Sequence, residues 1–160
     1  MRKFKIVNKQ GFTLIELVVV IAIISIISAI ITVNFVEVNK RGRDTTRKSD
    51  LQTVKTALEI YRSDSSTYPP ALYTVSCPTS SGLSSGSTIY LTKLPCDPQK
   101  KDVGYDYVSS PSGCDGASTP CISYTLTACV ENDKDTDNNI ITPYSQSTCT
   151  SQTGYRVTNP

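Results

Sequence analysis

The chain has 160 residues, 19% of them charged and 38% hydrophobic, and it contains no histidine. That length accommodates one small domain plus an anchoring helix and excludes two independent domains. A net charge of +2 gives no electrostatic footprint for nucleic acid, and loss of residues 1–11, which hold Arg2, Lys3, Lys5 and Lys9, takes it to about −2.

The first element is that basic leader, which ends at Gly11 and is followed by Phe12-Thr-Leu-Ile-Glu16. From Leu14 to Val33 the sequence is apolar apart from Glu16, Ser25, Ser28 and Thr32. As a helix rising ~1.5 Å per residue, this run spans about 30 Å, the hydrocarbon thickness of a bilayer. A cleavable secretory peptide would be shorter and end in a small-residue site, which is not evident after this run. A lone carboxylate inside such a run is costly and needs a physical reason, so Glu16 is singled out. Basic residues flank the span on both sides, with Lys40, Arg41, Arg43, Arg47 and Lys48 following it, so charge counting does not orient it.

Beyond the apolar run the helical period continues. Leu51, Val54, Ala57, Leu58 and Tyr61 form one stripe, with Arg47, Lys48, Asp50, Lys55, Glu59 and Arg62 on the polar face. Gly42 is a point where the helix softens, and Ser63 to Pro70 ends it. Residues 79–88, almost all Ser, Thr and Gly, read as an exposed loop. The strongest strand signal is 122–130, with Ile122, Tyr124, Leu126, Ala128 and Val130 on the core face. Weaker strands are expected at Ile89 to Thr92, Tyr105 to Ser109 and Tyr155 to Thr158, in antiparallel connection. The expected fold is α+β: a long N-terminal helix, first a membrane span and then amphipathic, packed on a small antiparallel sheet of three or four strands with disulfide-stapled loops. The expected segments are a leader (1–11), a hydrophobic helix (12–38), its amphipathic continuation (39–64) and a β head (65–160).

The cysteines Cys77, Cys96, Cys114, Cys121, Cys129 and Cys149 all follow the apolar segment. An even number confined to one region points to disulfides in an oxidising compartment. Zinc wants closer cysteine pairs or histidine, and neither is present. Proximity favours Cys114 with Cys121, leaving Cys77 with Cys96 and Cys129 with Cys149 as the simplest remainder among several pairings. The cysteines also place the C-terminal part outside the cytoplasm.

The leader ending in Gly11, the Phe12-Thr-Leu-Ile-Glu16 junction and the unbroken apolar helix together resemble the class III signal of type IV pilins and type II secretion pseudopilins. The segments RDTTRKSDLQTVKTALEIYRSDSSTYP (Arg43 to Pro69) and LPCDP (Leu94 to Pro98) resemble the helix end and loop of the major, G-type pseudopilin. Gln99 stands where an aromatic residue commonly follows the DP pair, and the usual glycine before Tyr68 is missing. The resemblance implies cleavage between Gly11 and Phe12 by a prepilin peptidase and N-methylation of Phe12. The subunit then enters a helical homo-oligomeric filament, a type IV pilus or a type II secretion pseudopilus, with Glu16 paired to a Phe12 amine as its assembly residue. Implied partners are membrane lipid before assembly, an inner-membrane platform and an assembly ATPase. The implied location is the cytoplasmic membrane as a single-pass precursor, then a filament in or outside the envelope. The rival from another class is a membrane-tethered, disulfide-rich binding or adhesion module that does not polymerise.

Asp133, Asp135 and Asp137 open like a calcium loop, and the G-type resemblance implies calcium in a C-terminal loop. An EF-hand would need glycine and glutamate where Asn138 and Tyr144 stand. The three aspartates are therefore a weak calcium candidate beside a solvated acidic turn, and no other cofactor is expected. The basic residues between Lys40 and Lys48 read as a solvated face or a contact to headgroups and neighbouring subunits. Most of the tyrosines read as half-buried sheet residues. No nucleophile elbow or phosphate loop appears, so no catalytic residue and no enzyme activity are expected.

Overall fold

A computed structural model describes residues 11–73, 77, 82–145, 149 and 151–159, with backbone only at 30–34. The leader, residues 1–10, lies outside the described residues, as do 79–81 of the Ser/Thr/Gly stretch. The chain forms two compact units, Met1–Val38 and Asn39–Pro160. Helix α1 covers Leu14–Ser65 without interruption, Gly42 included. The run expected to cross a membrane includes residues 30–33, whose side chains are not described. Among the described residues no helix is long and apolar enough to cross a membrane.

In the second unit, Leu51, Val54, Ala57 and Leu58 are at most 3% exposed and form the helix's contribution to the core. Tyr61 extends the stripe half-buried. The helix ends in a left-handed residue: Ser66 has φ 62° and donates its N–H to the Arg62 carbonyl at 2.8 Å, an αL cap. The chain then turns into a bridge between Tyr68 and Cys121.

Among the described residues six strands follow: β1 (Leu83–Ser85), β2 (Thr88–Leu91), β3 (Asp106–Ser110), β4 (Ser123–Cys129), β5 (Ile140–Ile141) and β6 (Gly154–Thr158). β3, β4, β6 and β5 form, in that order, a four-stranded antiparallel sheet, and β1 and β2 form a separate hairpin. The sheet's inner face supplies Tyr124, Leu126 and Ala128 from β4 and Tyr155 and Val157 from β6, with Val130 just beyond β4. All belong to the core that holds the helix stripe.

Four expectations are corrected. Residues 83–85, read as loop, are a strand, because Leu83 is 5% exposed and anchors a hairpin turned by Gly86 at φ 58°. The strand around Ile89 therefore lies in that hairpin and not in the main sheet. Ile122, expected in the core, precedes β4 and is 62% exposed, its N–H donated to the Ser110 carbonyl. Arg47, expected on the solvated face, is 2% exposed. The two-residue β5 was not anticipated, being too short to show a period.

The three disulfides are Cys77–Cys96, Cys114–Cys121 and Cys129–Cys149. The last one starts from the end of β4, on the outer face of the sheet. There Tyr144 packs directly on Gly154, where a Cβ would meet the Tyr144 ring at 2.8 Å. The Tyr144 hydroxyl donates to Asp106 at 3.2 Å.

Candidate functional site

The first candidate site is the start of α1. Thr13 precedes the first helical residue, Leu14. Its N–H and its hydroxyl both donate to Glu16 Oε2, at 2.8 and 2.7 Å, and Glu16 N–H lies 3.3 Å from Thr13 Oγ1. This is a capping box: residue and third-following glutamate each satisfy a backbone donor that the helix cannot. The sequence carries this signal as Thr-x-x-Glu, a spacing that the sequence analysis does not use because Glu16 stands out first as a charge in an apolar run. Glu16 is thus bonded within its own chain, at the end of the helix where the macrodipole favours a carboxylate.

Gly11 and Phe12 lie outside the helix. Phe12 is 95% exposed, and a Cβ built on Gly11 meets nothing within 4 Å, so contacts within the described chain do not demand glycine at position 11. From Leu14 to Ile27 the large apolar side chains are all exposed, Val18 least at 47%. A helix apolar on every face is not an amphipathic surface helix.

The second cluster is electrostatic. The Arg47 guanidinium bonds three carboxylates: Asp44 at 2.7 Å, Glu131 at 2.8 Å and Asp97 twice, at 2.7 and 3.1 Å. Asp44 also accepts the N–H groups of Glu131 and Asn132. Asp97, of the LPCDP segment, accepts those of Gln99 and Lys100 at 2.8 Å each. Arg43 adds a second fork to Glu131, its Nε at 2.7 Å. Burial alone would lift the Asp97 carboxyl, but Arg47 and the two N–H donors outweigh it and hold it below the usual range. Hydrogen bonding from Arg43 is the largest influence on Glu131, and with Arg47 it lowers that carboxyl against the effect of burial. One buried cation thus fastens α1, the LPCDP loop and the chain after β4.

The acidic turn sits beside this cluster. Lys48 Nζ lies 2.7 Å from Asp135 and 3.2 Å from Asp137, and 5.0 Å from the centre of the Tyr155 ring. Its hydrogen bond lowers the Asp135 carboxyl. Asp135 and Asp137 also accept backbone N–H groups two residues on, from Asp137 and Asn139, as Asx turns do. Among the described residues no three carboxylates, cysteines or histidines are grouped to hold a metal ion. Asp133 does not join the Lys48 cluster.

Tyrosine hydroxyls contribute a third set of ties, which the sequence did not reveal. Tyr68 and Tyr124 both donate to Glu59, at 2.9 and 3.1 Å, Tyr105 donates to Asp50 at 2.6 Å, and Tyr90 to Asp64 at 3.0 Å. The acidic residues of the helix thus act as acceptors for a tyrosine-rich head.

The family described as a prokaryotic N-terminal methylation motif matches residues 6–32. The chain is 41% identical over 61 residues to the type IV wide pilus major component PilA4 of Thermus thermophilus, a match covering 38% of this chain and 47% of that protein. It is 30% identical over 116 residues to the type II secretion system core protein G of Escherichia coli, covering 69% of this chain and 77% of that protein. No solved structure matches. These relatives are structural components, and the second match is far longer than the N-terminal motif. The long helix on an antiparallel sheet, the exposed apolar N-terminal segment and these likenesses agree: the chain belongs to the type IV pilin and type II secretion pseudopilin family.

Proposed function

We propose that this chain is a precursor that spans the cytoplasmic membrane once, is cut between Gly11 and Phe12, and is N-methylated on Phe12. It then polymerises through its N-terminal helix into a pilus or a secretion pseudopilus. The observation that carries this reading is the all-round exposure of the apolar side chains from Leu14 to Ile27. Such a surface needs lipid first and other copies of itself later, and one segment serves both needs. Support for the cleavage site comes from Gly11 and Phe12 standing free of the helix, with a capped start immediately after them. The disulfides support an extracytoplasmic head. A prepilin peptidase, a membrane platform and an assembly ATPase are the partners this reading requires.

Intact mass spectrometry of protein from cells that process other prepilins tests the first half, with loss of residues 1–11 and one added methyl expected. Retention of the leader overturns it. Electron microscopy of cells expressing Glu16→Ala tests the second half. The wild type is expected to form filaments and the variant to form none while its head keeps its fold; absence of filaments from the wild type would leave the chain a tethered module, and normal filaments from the variant would overturn the role of Glu16.

A further inference from the structure

The four-stranded sheet ends on an unequal edge. β5 covers β6 only at Gly154 and Tyr155, whereas β6 continues to Thr158. Arg156 N–H points to the β5 side and donates to the Asn139 carbonyl at 2.9 Å. Backbone groups alternate sides along a strand, so the Arg156 carbonyl and the Thr158 N–H and carbonyl face the same way. Among the described residues these three groups have no backbone partner.

Beside that edge lies a groove of about 280 Å³, lined by Gln52 and Lys55 of α1, by Asn138 and Asn139, and by Arg156 and Thr158 of β6. Among the described residues no acidic side chain lines it. Among the described residues neither Lys55 nor Arg156 makes an ion pair, unlike Arg43, Arg47 and Lys48 on the neighbouring turns of the helix. Charged residues on an open edge commonly repel other strands. Here one cation comes from the helix and one from the strand, and both border a polar groove that holds unused backbone donors and acceptors.

We propose that the free edge of β6 takes up an extended, carboxylate-bearing polypeptide segment of a partner protein as an added strand. The backbone of Arg156 and Thr158 would supply the ladder, and Lys55 and Arg156 would select the acidic side chains. An anionic polysaccharide would satisfy the two cations but carries no peptide groups at strand spacing to form a ladder with Arg156 and Thr158, so the backbone distinguishes the ligands. The proposal is independent of polymerisation, because the site lies wholly in the second unit and is measured on unassembled subunits.

The test uses the full-length mature protein in detergent micelles. A display library of random seven-residue peptides is selected on it and counter-selected on a Lys55→Glu/Arg156→Glu double variant. Among the described residues neither side chain has an ion pair to lose, so the double variant should keep the wild-type melting temperature. Selected peptides are expected to carry Asp or Glu between β-branched residues and to bind the wild type about ten-fold or more tighter than the variant. They should also shift the Thr158 amide resonance and lose binding when alternate peptide amides are N-methylated. The proposal is overturned if no peptide distinguishes the two proteins or if N-methylated peptides bind equally well. Selective binding of a hyaluronate oligosaccharide, with no shift at the Thr158 amide, overturns it as well.

Discussion

Arg47 and Asp97 meet through a two-pronged ion pair, Nε to Oδ2 at 2.7 Å and Nη2 to Oδ1 at 3.1 Å, joining residues 50 positions apart in sequence. Arg47 is 2% exposed and Asp97 9%, so water cannot replace either partner. Removing one member of such a pair leaves buried charge uncompensated and costs about 3–5 kcal/mol. Arg47→Met is expected to lower unfolding stability by that amount in urea titrations. Arg47→Lys should recover little of it, because an ammonium cannot fork onto Asp97 while reaching Asp44 and Glu131. Full recovery by lysine would show that only the charge matters.

The same cluster sets an acid limit. Asp97 and Glu131 have folded-state pKa values below their unfolded ones. Their stabilisation is therefore complete above the unfolded carboxylate values, about 4, and is lost as pH falls through the lower folded values. The wild type should lose stability between neutral pH and pH about 3, and Arg47→Met should lose less over that interval, having less linkage to forfeit. An equal loss in both proteins would assign the acid response to other carboxylates.

Ser66 supplies a test of local conformation. At φ 62° a side chain is strained and glycine is not, so Ser66→Gly is expected to stabilise the protein by about 0.5–1 kcal/mol despite its added chain entropy. Ser66→Val should destabilise by more than that, since a β-branched residue resists the left-handed region. Thermal melting of the two variants decides it. The sequence had registered a missing glycine before Tyr68, and the backbone gives the physical meaning of that gap.

The disulfides should not contribute equally. Cys114 and Cys121 are 7 residues apart, Cys77 and Cys96 19, and Cys129 and Cys149 20. Loop-closure entropy then gives about 2.4 kcal/mol for the short bridge and about 3.3 kcal/mol for each long one. Paired cysteine-to-alanine replacements are expected to follow that order. If the short bridge proves the costliest, burial of Cys121, which is 0% exposed, outweighs chain entropy.

How far the sequence could be read follows from the range of each interaction. The stripe Leu51, Val54, Ala57, Leu58 and the alternation Tyr124, Leu126, Ala128 are local periods, and both describe real core faces. Ile122 shares the β4 period but lies one residue before the strand, beyond what a period can delimit. Arg47 looked like any other residue of a polar face, because its three acceptors include residues 50 and 84 positions away. Leu83 was masked by its polar neighbours, although one buried leucine suffices to seat a hairpin. At the N-terminus Thr13 and Glu16 are close in sequence, but their capping spacing sits at the head of an apolar run, where a carboxylate reads equally as a buried charge.

That double reading of Glu16 can be separated by experiment. As the third residue of a capping box it needs only an acceptor for Thr13 N–H, a task that glutamine performs. As a partner for a Phe12 amine in an assembled filament it needs a negative charge. Glu16→Gln should therefore keep the helix start intact while removing the charge, whereas Glu16→Ala removes both. If charge pairing governs assembly, both variants should lack filaments, while backbone amide exchange at Thr13 in detergent-solubilised precursor should rise only in Glu16→Ala. If capping alone is required, Glu16→Gln should form filaments in normal number. Filaments from Glu16→Gln would thus overturn the charge-pairing role and leave Thr13 and Glu16 as the cap of a helix whose assembly is driven by its apolar faces.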